Sequence, residues 1–234
     1  MVYRTCLTMA ISTTTKLVTG SLASCSVVGG GVLAGSKYFG KETEKKPITT
    51  LLKEKNPEKR LIAHSSTGSE VEWKEAWKSY LTNGGNVWSI EGGTKQPNGT
   101  DNAPTSFIQK CMENSEVKVE NEQDTTYSQV LSYCTRDTLI KDLISGTKRL
   151  LVNSSDQDTE GWSASWSAYK SKNTDHQEGK DKWALDDWSQ KHNESNVPDS
   201  FKQKCGDKSS GKAYSQKSLV EDYSLVLEWC TTNS

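Results

Sequence analysis

Along most of the chain, apolar residues recur at helical rather than strand spacing. Trp73, Trp77 and Tyr80 stand at i, i+4 and i+7, which sets three rings on one face of a helix. Trp162, Trp166 and Tyr169 repeat that spacing. Tyr127, Val130, Leu131 and Cys134 form a second helical stripe, and Tyr223, Val226, Leu227 and Cys230 form its counterpart. Pro104 and Pro198 suit the first turn of two further short helices, each carrying a Phe and a Cys. Helical patterns also open each set, as ITTLLKEK from Ile48 and TLIKDLIS from Thr138. Ser69 or a neighbour is expected to cap the first Trp helix, and Asn83-Gly84-Gly85 to end it. Asp158 or Thr159 is expected to cap the second Trp helix, and Gly206 to end the second Phe/Cys helix. RLIA and RLLV are the only strand candidates. The pattern predicts a mainly α fold with minor strand content.

These elements form two collinear sets. KRLIAHSS (59–66) matches KRLLVNSS (148–155), PTSFIQKC (104–111) matches PDSFKQKC (198–205), and YSQVLSYCT (127–135) matches YSLVLEWCT (223–231). The offset drifts from 89 residues at Trp73 and Trp162 to 96 at Tyr127 and Tyr223, as a few inserted residues would cause. Four ordered matches rich in Trp, Phe and Cys define a tandem duplication, with units at about 48–136 and 137–234. The ring residues are kept, while Lys74, Glu75 and Ala76 between them become Ser163, Ala164 and Ser165. A preserved inside and a drifting outside make Trp73, Trp77, Tyr80, Trp162, Trp166 and Tyr169 repeat core. A unit of about ninety residues needs large apolar side chains.

The cysteines follow the repeat. Cys111 and Cys134 occupy the same places in the first unit as Cys205 and Cys230 in the second. One disulfide per unit, 111–134 and 205–230, is the pairing the duplication suggests in an oxidising compartment. Two buried free thiols per unit are the alternative in the cytoplasm.

The first forty residues break the pattern. Twenty uncharged residues, 17–36, lie between Lys16 and Lys37 and are long enough to span a bilayer. Gly31 and Gly35 form a GxxxG pair within them. A transmembrane or signal-anchor helix, a cleaved secretory signal, and a lipoprotein signal with Cys25 of LASC as the lipidated residue are the three readings. Residues 41–47 then serve as a charged linker. The partner implied is the membrane, through residues 17–36.

Composition narrows the function. Hydrophobic residues make up 32% of the chain, too few for a polytopic membrane protein, while eight Trp and eight Tyr supply core material. Residues 1–40 hold Arg4, Lys16 and Lys37 and no acidic residue, so 26 basic and 30 acidic residues remain, a body of about −4. An acidic body without a basic stripe argues against nucleic acid. No nucleophile elbow, Walker loop, HExxH or dinucleotide fingerprint is present. His64 becomes Asn153 in the second unit, and His176 and His192 have no counterpart in the first. Metal, cofactor and catalytic residues are therefore not expected, and the chain reads as a non-enzyme. Asn98, Asn153 and Asn193 sit in N-glycosylation triplets, which carry meaning only outside bacteria.

The leader TTKLVTGSLASCSVVGGGVLAGSKYF, units of the form LI..LISGTKRLL..SS......W...W..Y and a terminal WCT resemble the large families of paralogous hypothetical proteins in haemotropic mycoplasmas. The resemblance covers nearly the whole chain, and Cys25 in the leader departs from it. It implies a membrane-associated protein acting in antigenic variation or contact with a host-cell surface component, and it brings no catalytic residue. The body is expected outside the cell membrane, as a surface protein displaying two modules. The alternative expectation is a lipid-anchored solute- or peptide-binding protein, with a cleft between the units bordered by Trp88 and Trp183.

Overall fold

A computed structural model describes residues 44–151, 157–215 and 221–233. The leader at 1–40, Cys25, linker residues 41–43 and the triplet at Asn153 lie outside these. The described chain is mainly helical, with short two-stranded ladders. No helix among the described residues is long and apolar enough to cross a membrane.

The first repeat begins with β1 (Lys46–Pro47) and α1 (Ile48–Lys55), followed by β2 (Lys59–Leu61) and the Trp helix α2 (Val71–Asn83). Next come α3 (Thr105–Ser115), β3 (Lys118–Val119), α4 (Thr125–Tyr133) and β4 (Thr135–Asp137). β1 pairs antiparallel with β3, and β2 pairs with β4 so that Arg60 faces Arg136. The second repeat opens with a 3-10 turn, Ile140–Leu143, then β5 (Lys148–Leu150) and the Trp helix α5 (Thr159–Lys172). It continues with α6 (Trp188–Lys191), α7 (Asp199–Ser209), α8 (Tyr223–Trp229) and β6 (Thr231–Asn233), which pairs with β5. The β1–β3 pairing has an equivalent in a single bridge between Leu139 and Lys212. The correspondence is close: Ile48 N–H donates to Val117 O at 3.0 Å, and Ile140 N–H to Gly211 O at 2.9 Å.

Each repeat encloses its own apolar core. Ile48, Trp73, Trp77, Tyr80, Phe107, Tyr127 and Val130 centre the first. Ile140, Trp162, Trp166, Tyr169, Phe201, Val226 and Trp229 centre the second. Phe107 and Phe201 sit under the aromatic stripe in the same way, 5.1 Å from Trp77 and from Trp166 between ring centroids. Cys111 on α3 is bonded to Cys134 at the end of α4, and Cys205 on α7 to Cys230 at the end of α8. Each disulfide thus fixes one helix to the point where the closing strand starts.

Several local expectations change. Ser69 does not cap α2, which starts after an extended Glu70 with no side-chain cap. The Ser69 hydroxyl pairs with Thr67 instead, and the Glu70 carboxylate accepts from Ser65 Oγ at 2.6 Å. That bond holds the Glu70 carboxyl below its ordinary range. Asp158 does cap α5, accepting from Gly161 N–H at 2.6 Å. Gly206 does not end its helix, because Ser210 N–H still reaches Gly206 O at 3.0 Å. TLIKDLIS yields only the 3-10 turn. It starts as α1 does, with Ile140 N–H held by Gly211 O and Leu139 N–H by the Asp142 carboxylate at 2.8 Å, but stops where Ile144 turns extended, with φ −75° and ψ 119°. Gly68 is a required glycine: its φ is +63°, and a Cβ there would stand 2.0 Å from Ala103 O.

No slack separates the repeats. β4 runs directly into Thr138, which is 1% exposed. Thr138 donates from N–H to Glu58 O at 2.8 Å and from Oγ1 to Pro57 O at 2.8 Å, while its carbonyl accepts from Ala213 N–H at 2.8 Å. One residue is therefore bonded to both repeats.

Candidate functional site

The aromatic stripes belong to the cores. Trp73, Trp77, Tyr80, Trp162, Trp166 and Tyr169 are all at most 4% exposed. The polar ends of their tyrosines act as hubs that pin the following loop. Tyr80 Oη donates to Asn86 Oδ1 at 3.1 Å and accepts from Trp88 N–H at 2.9 Å. Asn86 Oδ1 accepts in turn from Ile90 N–H at 2.8 Å. In the second repeat Tyr169 Oη donates to Asp181 Oδ2 and accepts from Trp183 N–H at 3.1 Å, and Asp181 Oδ2 accepts from Leu185 N–H at 3.0 Å. Burial, reinforced by the Asp181 carboxylate, raises the Tyr169 phenol far above its usual range. A phenol that stays protonated and enclosed serves as a structural donor.

A cavity that combines charge with apolar surface lies at the junction of the repeats. It has a volume of about 560 Å³, within the size range of small-molecule sites. α1 contributes Thr49, Leu52 and Lys53, and β2 contributes Lys59, Arg60 and Leu61. Arg136 comes from β4, Asp142 and Leu143 from the 3-10 turn, and Tyr214 from the segment after α7. Four cations therefore line it against one carboxylate, in a body of acidic net charge.

Three of the four cations are engaged internally, Arg60 most loosely, with its Nε 3.9 Å from the Asp142 carboxylate. Arg136 forks onto Asp142, Nη1 to Oδ2 at 2.5 Å and Nη2 to Oδ1 at 2.9 Å. Lys59 pairs with Asp137 at 2.7 Å, and Lys212 reaches the other Asp137 oxygen at 2.5 Å. Burial works against the Asp142 carboxylate, but the Arg136 guanidinium and the Leu139 N–H outweigh it and hold its carboxyl below the ordinary range. Lys212 and Lys59 do the same for Asp137. Arg60 donates only Nη2, to Asp142 O at 2.9 Å, and its buried Nε has no hydrogen-bond acceptor. Lys53 has no ion-pair or hydrogen-bond partner among the described residues.

Trp88 and Trp183 do not border this cleft. Trp88 packs against Tyr80 in the first core, 5.2 Å between centroids, and Trp183 lies 5.3 Å from Tyr169 in the second. Both belong to the loops that the tyrosine hubs hold. Of the histidines, His64 is exposed, whereas His176 and His192 stack on each other with centroids 4.0 Å apart. Their separation in sequence hides that contact. Asn98 is exposed, and its side chain closes a turn by accepting from Thr100 N–H at 2.9 Å and Asp101 N–H at 3.0 Å.

Against known proteins, no family model matches the chain, and neither a curated protein nor a solved structure shows significant similarity to it. The cleft and the duplicated cores therefore have to be read on their own chemistry.

Proposed function

We propose that this chain is a non-enzymatic, membrane-anchored surface protein that displays two tandem modules outside the cell, in host-cell contact or antigenic variation. The observation that supports this most is the pair of disulfides at equivalent buried positions, Cys111–Cys134 and Cys205–Cys230. Disulfides persist in oxidising surroundings and are rare among cytosolic chains. Residues 17–36 supply the anchor in this reading, and the duplicated scaffold supplies the displayed surface. Protease shaving of intact cells, followed by non-reducing mass spectrometry, tests it. Release of fragments from 48–234 with both bonds intact is expected. Protection until lysis, with free thiols, would put the repeats inside and end the reading.

The 560 Å³ junction cleft favours a second reading, a lipid-anchored solute- or peptide-binding protein. In that reading Cys25 carries the lipid.

A further inference from the structure

We infer that the cleft at the repeat junction binds a small aromatic anion, a flat ring bearing a phosphate or carboxylate. The inference deepens the second reading above and does not depend on which side of the membrane the body lies.

The charge balance carries the first part. Asp142 absorbs Arg136, and Asp137 absorbs Lys59 and Lys212. Lys53, exposed on α1, is left without a counter-charge among the described residues. Arg60 spends Nη2 on a backbone carbonyl and pairs only loosely with Asp142, its buried Nε 3.9 Å from the carboxylate, while its Nη1 makes no hydrogen bond among the described residues. Two cations with unused donors therefore share one concave wall. An anion there gains from both, and the flanking apolar surface strengthens the attraction by lowering the local dielectric.

The aromatic part rests on Tyr214. Every other Trp, Tyr and Phe among the described residues is buried or half-buried, yet Tyr214 is 42% exposed and lines this cleft. Leu52, Leu61, Leu143 and Pro57 complete an apolar floor beside it. A ring stacked on Tyr214 would cover that surface and leave its acidic group to Lys53 and Arg60. A free inorganic anion would leave the floor bare, and a neutral ring would leave the cations unmet. Both Lys53 and Tyr214 are exposed and outside the two cores, so their replacement leaves folding intact.

The test is titration calorimetry on the full chain at low salt, with phenyl phosphate, benzoate, inorganic phosphate and benzamide as probes. Saturable binding of phenyl phosphate or benzoate is expected, and the stronger of the two identifies the acidic group. Benzamide and inorganic phosphate should each bind at least roughly tenfold more weakly, since each lacks one half of the recognition. Lys53→Ala should weaken the aromatic anion roughly fivefold, Lys53→Glu should abolish binding, and Tyr214→Ala should cost roughly fivefold. An unchanged melting temperature in these variants confirms that the fold is intact. The inference fails if neither aromatic anion saturates by about 10 mM, if benzamide binds equally well, or if Lys53→Glu binds like the parent. Shaving of cells reports on display alone, so either proposal can fail while the other stands.

Discussion

In the first repeat the tyrosine hub meets an amide, Asn86; in the second it meets a carboxylate, Asp181. Around that exchange the two cores diverge in the same direction. Trp88 Nε1 donates to Gln129 at 2.8 Å, whereas Leu225 stands in the place of Gln129 and Trp183 Nε1 is buried without an acceptor. Tyr133 Oη reaches Asn83 O at 3.2 Å, and its counterpart Trp229 has no acceptor for its buried Nε1. Asp181 Oδ1 is likewise buried and unpaired. The second repeat has thus exchanged hydrogen bonds for ring volume. It places Trp183, Trp188 and Trp229 where the first places a half-buried Trp88, Gly93 and Tyr133. Each orphaned donor costs about 1–3 kcal/mol, which the added aromatic burial offsets at about 25 cal/mol per Å². Duplication preserves the positions of large rings more strictly than the polar groups around them.

The largest test of this comparison is truncation of the shared rings. Trp77→Ala and Trp166→Ala should each cost about 3–5 kcal/mol in urea unfolding. A loss below about 1 kcal/mol in either repeat would show that its stripe is not core. Next come the disulfides, which close spans of 23 and 25 residues. Replacing either pair by alanine should cost about 3 kcal/mol, nearly the same for both, because loop entropy changes slowly with length. A gap wider than about 1.5 kcal/mol between the two would mean that strain or residual structure differs between the repeats.

The hub exchange itself is the third test. Tyr80→Phe removes a neutral bond and should cost about 1 kcal/mol, while Tyr169→Phe strands a buried carboxylate and should cost about 2–3 kcal/mol. Asp181→Asn rebuilds the first repeat's arrangement and should change stability by less than about 1 kcal/mol. If the two Phe variants are equal, the carboxylate is not the source of the asymmetry.

The smallest effect is in acid. Asp137 and Asp142 have carboxyls depressed in the folded chain, so their stabilisation is complete above the unfolded value of about 3.9 and is lost as pH falls through the lower folded values. Stability should be flat from about pH 7 to 5 and then decline. Asn233 stands in the place of Asp137 at the end of the second repeat, and Thr50 in the place of Asp142 at the start of the first. Asp142→Asn should therefore lower stability near neutrality and flatten the acid decline. An acid decline unchanged in that variant would move its source away from the junction.

The legible and illegible parts of the molecule differ in range. Helical spacing at Trp73, Trp77 and Tyr80 is local, so the sequence alone indicates the helices and their inward faces. Comparing the repeats adds the pairing of Cys111 with Cys134, because four cysteines at two equivalent pairs of places admit a simple solution. The cleft joins Lys53, Arg60, Arg136 and Tyr214, which no periodicity connects. Its one signal was where the repeat fails: Arg136-Asp137 against Thr232-Asn233. The opening segment of the second repeat differs from α1 at its end rather than its start. A helical pattern does not reveal that Ile144 turns extended and that Gly146 takes a positive φ, whereas α1 runs on to Lys55.

Thr138, with its backbone bonded to both neighbours and its hydroxyl to Pro57, removes the hinge that tandem modules usually have. A partner that touched both repeats would find them at a set angle, like two keys cut on one blade. Reach could not be adjusted by a coil between them, so spacing on the partner becomes a selection rule. Lengthening the chain after Asp137 by a few glycines would turn that rule into a tolerance, at the expense of the cleft.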